Sequence, residues 1–402
     1  MIFRKQNILH NEYATFRKDV VEFFLNYFSL KGVKLLDPMS GTIPLLPYAE
    51  RCKIKADFFD ILPVHTYINN AKRAIVYRDL QKTFDLNIDA IVKELESCIG
   101  KLDKKKLLIS DDWLHEDILN ELRKGWNKVE GYGDNIRSFF KAIIILCTRH
   151  YGSFYKSPKN TTWHKPGGLS TDRNLRDILV GGITKYFNYY KYYYADIKNI
   201  SESVHIETVD IYTKEIRKKY DIIFTSPAFP NRYDYVRMYA PELYFLSVVE
   251  NFPSLKFLNT KVLGTNTVTG YRNQEEDYKL ISKMSPRTAS FLNQVRKKQK
   301  PKEYDYYFRY FTQYYIQLFR LIDKLSNCLS KNGGLYLVVQ NNVHKGELNE
   351  VDQFISDYCK IKGFLVKEAF SEYRSHQGRR NISAEHPIVL KKQKETILEI
   401  RS

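Results

Sequence analysis

Cysteine is scarce in this chain and poorly placed for cross-linking. The five cysteines, at 52, 98, 147, 328 and 359, are odd in number and widely spaced, with no CxxC pair. The nine histidines are scattered as well. Neither a disulfide framework nor a tetrahedral zinc site is indicated, and a reducing compartment fits. Long apolar runs are missing too. The stretch 142–147 is about the longest, far short of the ~18–20 residues that span a bilayer. Met1-Ile2-Phe3-Arg4-Lys5-Gln6-Asn7 lacks the apolar segment of a secretory signal. There are no internal repeats and no long low-complexity tract. A soluble, cytoplasmic protein with no membrane partner is the expectation.

What is present is bulk and positive charge. The chain has 402 residues, 43% of them apolar and 27% charged. That suffices for a large buried core, in one large domain or two to three ordinary ones. Lys plus Arg is 64 against 46 Asp plus Glu, a formal net charge of +18. Such an excess suits a polyanionic partner such as nucleic acid, because counterion release drives binding to phosphates. It equally suits a solvated, lysine-rich surface, and charge alone does not decide.

The pattern along the chain is that of a doubly wound α/β sheet. Residues 12–31 predict an amphipathic helix, with Phe16, Val20, Phe23, Phe24 and Tyr27 at spacings of three or four. A short strand at 33–36 follows, then a helix at 45–51 and a second strand at 53–60. Residues 65–148 are mainly helical, around 85–99, 112–124 and 134–148. Residues 151–200 are Gly-, Tyr- and Lys-rich. Strands resume at 205–210 and 220–225, with a helix at 235–250. Residues 251–303 read as loop-rich and basic. A strong helix spans 304–329, ended by Gly333-Gly334, with strands at 335–339, 363–370 and 387–392.

Two segments carry chemistry. Asp37-Pro38-Met39-Ser40-Gly41-Thr42 lies between a strand and a helix. A glycine there lets backbone approach a ligand, and free amides at the helix start face it. Asp60, ending the next strand, stands where acids accept ribose hydroxyls in Rossmann-like sheets, with Ile61 beside it. An ordinary turn with Asp37 capping and Asp60 solvated fits the same residues. The second segment, Thr225-Ser226-Pro227-Ala228-Phe229-Pro230-Asn231-Arg232-Tyr233-Asp234-Tyr235, follows a strand directly. Two close prolines fix the loop and aim a hydroxyl, a carbonyl and a ring at one point. In isolation an ordinary Ser-Pro turn with Phe229 in the core is the better explanation.

Together the segments resemble the S-adenosylmethionine-dependent DNA methyltransferases that modify an exocyclic amine. Their cofactor motif reads roughly Asp-Pro-Phe-x-Gly-Ser-Gly and their catalytic motif Ser/Asp-Pro-Pro-Tyr/Phe. The extended serine form is similar to Thr225–Tyr235, and the likeness continues through Arg237, Tyr239, Ala240, Glu242 and Leu243. The resemblance implies an α/β, Rossmann-like methyltransferase sheet with helices on both faces and a large helical or irregular insertion. It implies S-adenosylmethionine as cofactor, held by Asp37, Pro38, Met39, Ser40, Gly41, Thr42, Asp60, Ile61 and Asp210, the last beside the adenine ring. It assigns Ser226, Pro227 and Phe229 to catalysis, and no metal. Two positions depart from the pattern: Ile43 replaces the second glycine, and Ala228 the second proline.

The domain expectation that follows is a methyltransferase core from 1–75 and 201–402, with 76–200 inserted. Double-stranded DNA with a flipped base is the implied partner, in a restriction–modification or phage-related setting with a restriction or methyltransferase partner subunit. Residues 251–303 and the inserted segment are the candidate DNA-recognition regions, with Lys165, Arg232, Arg296, Lys297 and Lys298 as phosphate contacts. Serine in the motif favours N4 of cytosine over N6 of adenine. Two rival assignments stay open. One is a methyltransferase-fold recognition subunit that has lost catalysis and works beside an active partner. The other is an RNA methyltransferase.

Overall fold

The strand–helix alternation at the start of the chain becomes the centre of a seven-stranded mixed sheet. The computed structural model describes residues 18–76, 78–85, 87–100, 102, 113–151, 153–156, 163–169, 174–197, 201–230, 233–268, 271, 273–300, 303, 305–373 and 394–401. In chain order come α1 (Lys18–Tyr27), β1 (Lys34–Asp37), α2 (Leu46–Arg51), β2 (Lys55–Asp60) and α3 (Pro63–Ala74). Helices α4 (Arg78–Phe84), α5 (Ile88–Ile99), α6 (Glu116–Lys128) and α7 (Asp134–Thr148) follow. A hairpin of β3 (Ser153–Lys156) and β4 (Trp163–Leu169) leads to α8 (Leu175–Tyr193). Next are β5 (Val204–Thr208), β6 (Tyr220–Thr225), α9 (Tyr235–Met238), α10 (Ala240–Val249), α11 (Leu255–Lys261), α12 (Gln274–Met284), α13 (Pro286–Lys297) and α14 (Tyr306–Ser326). The chain closes with β7 (Leu329–Gln340), β8 (Asn342–His344), β9 (Glu347–Asn349), α15 (Val351–Ile361), β10 (Leu365–Tyr373) and β11 (Lys394–Arg401).

The strand order is β10-β11-β7-β6-β1-β2-β5. The five strands from β7 to β5 are parallel to their neighbours, and β11 and β10 add antiparallel at the far edge. Side chains on successive strand residues face opposite ways. Leu35, Phe58, Ile222, Phe224 and Val338 therefore enter one core with α1, α3, α7, α8 and α10. Leu36, Phe59, Ile223, Leu337 and Val339 enter the other, with α13, α14 and α15. Both faces are covered, which is why these strands read as short continuous apolar runs.

Several boundaries differ from expectation. Residues 251–303 carry three helices rather than mainly loop. Ser254 caps α11 by accepting from the Phe257 amide, and Ser285 caps α13 by accepting from Thr288, with Pro286 opening that helix. The expected helix at 235–250 divides at Tyr239 into α9 and α10. Helix α14 stops at Ser326, and Gly333-Gly334 lie inside β7 instead of ending the helix. A side chain at Gly333 would put its Cβ 2.7 Å from the Tyr220 carbonyl oxygen, so β7 closes on β6 only with glycine there. The last strand falls at Lys394–Arg401; the segments 387–392 and 12–17 lie outside the described residues. No helix among the described residues is long and apolar enough to cross a membrane.

The β6–β7 contact makes a direct prediction. Gly333→Ala should destabilise the protein by about 1–3 kcal/mol, the usual cost of overpacking. Gly131→Ala, whose new Cβ meets nothing within 4 Å, should be nearly neutral. Urea denaturation of the two variants checks this, and equal midpoints would refute it.

Candidate active site

Strands β1 and β6 are adjacent and parallel, with Leu35 opposite Ile222 and Leu36 opposite Ile223. From β1 the sheet grows one way through β2 and β5, and the other way through β6 and β7. Ligand crevices of such sheets open outside the carboxyl ends of strands at this reversal. Two sequence-predicted segments leave from there: the Asp37–Pro44 loop from β1 and the Ser226–Pro230 loop from β6. They touch at once. The carboxyl group of Asp37 lies beside the Thr225 side chain and accepts from the Met39 amide at 3.2 Å. Burial raises its pKa to about 7, with the nearby charge of Asp60 adding and the Thr225 and Met39 contacts opposing.

The Asp37–Pro44 loop is tightly turned. Gly41 and Ile43 both have positive φ, 53° and 45°. For a β-branched residue that costs roughly 1–2 kcal/mol. The Ser40 amide donates to the Phe59 carbonyl at 2.9 Å, and the Gly41 amide to Asp60 Oδ2 at 2.9 Å. Asp60 Oδ1 accepts from the Leu62 amide at 2.8 Å and lies 3.0 Å from His65 Nδ1. Burial would raise the Asp60 pKa, but His65 and the two amides hold it below the ordinary carboxylate value. A carboxylate offers about four lone pairs. Three are engaged within the protein, so Asp60 retains capacity for one further donor rather than two. Its side chain is 14% exposed. Pro38 and Thr42 are buried and Met39 and Ile61 half-buried. Asp210 lies just beyond β5, where it accepts from the Tyr212 amide at 3.0 Å and sits 3.9 Å from Lys261 Nζ.

The Ser226–Pro230 loop is fastened from the opposite face. Tyr314 of α14 donates to the Ala228 carbonyl at 2.9 Å, and Asn342 of β8 to the Pro230 carbonyl at 3.0 Å. Pro227 is buried, while Ser226 and Phe229 are half-buried. Among the described residues no hydrogen bond engages Ser226 Oγ or the Pro227 carbonyl. The following residues are structural. Asp234 caps α9 through the Arg237 amide at 2.9 Å. Tyr239 is buried against His65, ring centroids 4.9 Å apart, and beneath the Arg149 guanidinium at 5.3 Å. Glu242 forms a fully buried ion pair with Arg149.

No family model matches the chain. Over 266 aligned residues it is 27% identical to the Type II methyltransferase M.BsoBI of Geobacillus stearothermophilus, an alignment covering 58% of this chain and 51% of that protein. The chain is a distant relative of a Type II methyltransferase. It spans about half the length of that relative. The mixed seven-stranded sheet, covered by helices on both faces, is a Rossmann-like methyltransferase fold.

The expected phosphate contacts of this methyltransferase relative are not equivalent. Arg296 is paired with Glu275 at 2.9 Å and Asp305 at 3.2 Å, and its guanidinium lies 4.3 Å from the Phe308 ring centroid. Lys298 pairs with Glu347. Lys297 is exposed, with no ion pair among the described residues. Lys165 lies in β4, and Arg232 falls outside the described residues. In the tyrosine-rich run, Tyr186, Tyr189 and Tyr194 are buried in the core, so these three rings are packing residues. Sequence reasoning missed His65, Asn69, Lys72, Tyr314 and Asn342. The first three had a signal: polar residues at i, i+4 and i+7 among the apolar residues Val64, Ile68 and Ala71 of what folds as α3.

Asp37 gives the site a pH signature. A carboxyl group whose folded pKa is raised to about 7 from 3.8 favours the folded state below about 4, and that contribution is lost as pH rises through 7. Asp37→Asn removes the penalty. Its thermal midpoint should exceed wild type by several degrees at pH 8, and the gap should shrink steadily towards pH 4. A pH-independent difference in scanning calorimetry would contradict this.

Proposed function

We propose that this chain is an S-adenosylmethionine-dependent DNA methyltransferase that modifies an exocyclic amine of a flipped base, N4 of cytosine before N6 of adenine. The observation that carries the reading is the parallel pairing of β1 with β6, which sets the two motif loops side by side at the switch point of the sheet. The distant relationship to a Type II methyltransferase supports it.

The residues present fit the cofactor. Asp37 offers a buried carboxyl group at the loop entry, Asp60 keeps one acceptor site for a ribose hydroxyl, and Asp210 stands past the edge strand. When bound, S-adenosylmethionine supplies a methyl group that is already electrophilic, so no protein nucleophile is required. The base amine is the poor partner, because its lone pair is delocalised into the ring. Ser226 Oγ and the Pro227 carbonyl would accept its two hydrogens, favouring a pyramidal nitrogen in the transition state. Phe229 would stack on the base and hold it in line. Tyr314 and Asn342, by holding the Ala228 and Pro230 carbonyls, supply the rigidity that a second proline gives elsewhere. Extruding the base costs a few kcal/mol, offset by stacking and by phosphate contacts from a chain of net charge +18. Double-stranded DNA is thus the proposed partner, in a restriction–modification setting.

The test is chemical. The protein is expressed, host DNA is digested to nucleosides, and N4-methylcytosine and N6-methyladenine are sought by mass spectrometry, with RNA run in parallel. N4-methylcytosine is the expected product. Ser226→Ala should lower the methylation rate by at least about 100-fold with cofactor binding intact. Methylated RNA alone, or cofactor-free DNA binding with neither base formed, would favour one of the two rivals instead.

Lys297 makes the DNA contact measurable. Lys297→Ala should weaken duplex binding at every sequence and reduce the slope of log K against log salt by about 0.9, one phosphate contact. Unchanged slope and affinity would remove it from the interface.

A further inference from the structure

Helix α3 buries a stripe of polar side chains directly beneath the Asp37–Pro44 loop. His65, Asn69 and Lys72 recur at i, i+4 and i+7, so they share one helix face. Each is almost fully buried, at 2%, 1% and 1% exposure. Each has a target in or next to the loop. His65 Nδ1 lies 3.0 Å from Asp60 Oδ1, the carboxylate that holds the Gly41 amide. Asn69 Nδ2 donates to the Gly41 carbonyl at 2.9 Å, and Lys72 Nζ to the Thr42 carbonyl at 2.7 Å. The Lys72 ammonium also sits 4.9 Å from the Tyr189 ring centroid of α8.

These targets bracket the unusual backbone. Gly41 and Ile43 are the two positive-φ residues of the loop, and the carbonyls held from below belong to Gly41 and Thr42. An isoleucine at φ 45° is strained, and such strain persists only where surroundings over-determine it. Burying a lysine is itself costly without a partner. The two costs meet at one peptide, since the Thr42 carbonyl belongs to the bond that joins Thr42 to Ile43.

We infer that the His65–Asn69–Lys72 stripe is a positioning device for the cofactor loop, with Lys72 holding the turn at Ile43 that a second glycine would otherwise permit. The inference rests on the methyltransferase reading above for its link to cofactor. Its local part, the clamp on residues 38–46, does not need that reading. None of the three residues is placed in contact with the cofactor or the base.

The experiment uses the full chain and S-adenosylhomocysteine as probe. Lys72→Met keeps the stem and removes the donor. Its dissociation constant for the probe, by calorimetry, should rise about tenfold, while duplex affinity stays at wild type. Amide hydrogen exchange in the free protein should accelerate in peptides covering 38–46, with protection at 335–339 in β7 unchanged. A purely structural lysine predicts uniform loss of protection, and that result overturns the inference, as does unchanged probe affinity with a wild-type that binds. If Lys72→Met does not fold, Asn69→Leu, which removes a neutral donor at similar volume, carries the same expectation at about threefold. A wild-type chain that binds no probe counts against the methyltransferase reading, and the exchange comparison still decides the clamp.

Discussion

The parallel pairing of β1 with β6 is the constraint from which the site follows. Neighbouring strands lie about 4.8 Å apart, so whatever leaves their carboxyl ends shares one crevice. Residues 37 and 225 come together across 187 intervening residues because Leu35 and Leu36 pair with Ile222 and Ile223. The same pairing buries the Asp37 carboxyl group between strand ends and drives its pKa up to about 7. Nothing local to Asp37-Pro38-Met39 would do that. The electrostatic character of the loop is a property of the sheet.

A second consequence is that both motif loops are held by side chains from neighbouring elements as well as by their own residues. Glycine and proline shape a loop by restricting what its backbone prefers. Hydrogen bonds to loop carbonyls achieve a similar result from outside, at the expense of burying polar groups that need partners. The Asp37–Pro44 loop takes this support from Asn69, Lys72 and, through Asp60, His65. The Ser226–Pro230 loop takes it from Tyr314 and Asn342. Ile43 and Ala228, which look like defects in isolation, occur where such external support is present. Departure from a motif is therefore weak grounds for inferring loss of activity until the residues under the loop have been inspected.

How much could be seen in the sequence depends on whether the signal was local. The apolar runs at 33–36, 53–60 and 220–225 are buried on both faces, so their hydropathy alone locates β1, β2 and β6 within a residue or two. Asp37, Asp60 and Ser226 lie at strand ends, where the carboxyl ends of such sheets present ligand-facing residues. The failures have long-range causes. Gly333-Gly334 resembles a helix stop by composition, yet the requirement there comes from the Tyr220 carbonyl on a strand over a hundred residues away. The helices between 251 and 303 were obscured by a run of lysines and arginines, although the Ser254 and Ser285 caps were present in the sequence. Tyr314 and Asn342 carry no local mark at all, since their role exists only once α14 and β8 meet the Ser226–Pro230 loop.

The basic run at the end of α13 shows why counting charges misleads. Arg296 answers Glu275 and Asp305, Lys298 answers Glu347 in β9, and Glu303 answers Lys345 in the β8–β9 turn. That turn places Lys345 and Gly346 in positive φ, the geometry of a tight hairpin. The Lys298–Glu347 pair fastens the end of α13 to the hairpin, and the Glu303–Lys345 pair fastens the segment that follows. The hairpin in turn carries Asn342, braced by Asn349 at 3.0 Å, which holds the Pro230 carbonyl. Two cations of 296–303, Arg296 and Lys298, are thus engaged inside the protein, and Lys298 sits on a seam that leads to the Ser226–Pro230 loop. Exposed ion pairs of this kind contribute little individually, so the seam is a registration device more than a stabilising one. Lys297 and Lys300 are exposed with no ion pair among the described residues, so the charge this segment offers a polyanion depends on what each cation already touches.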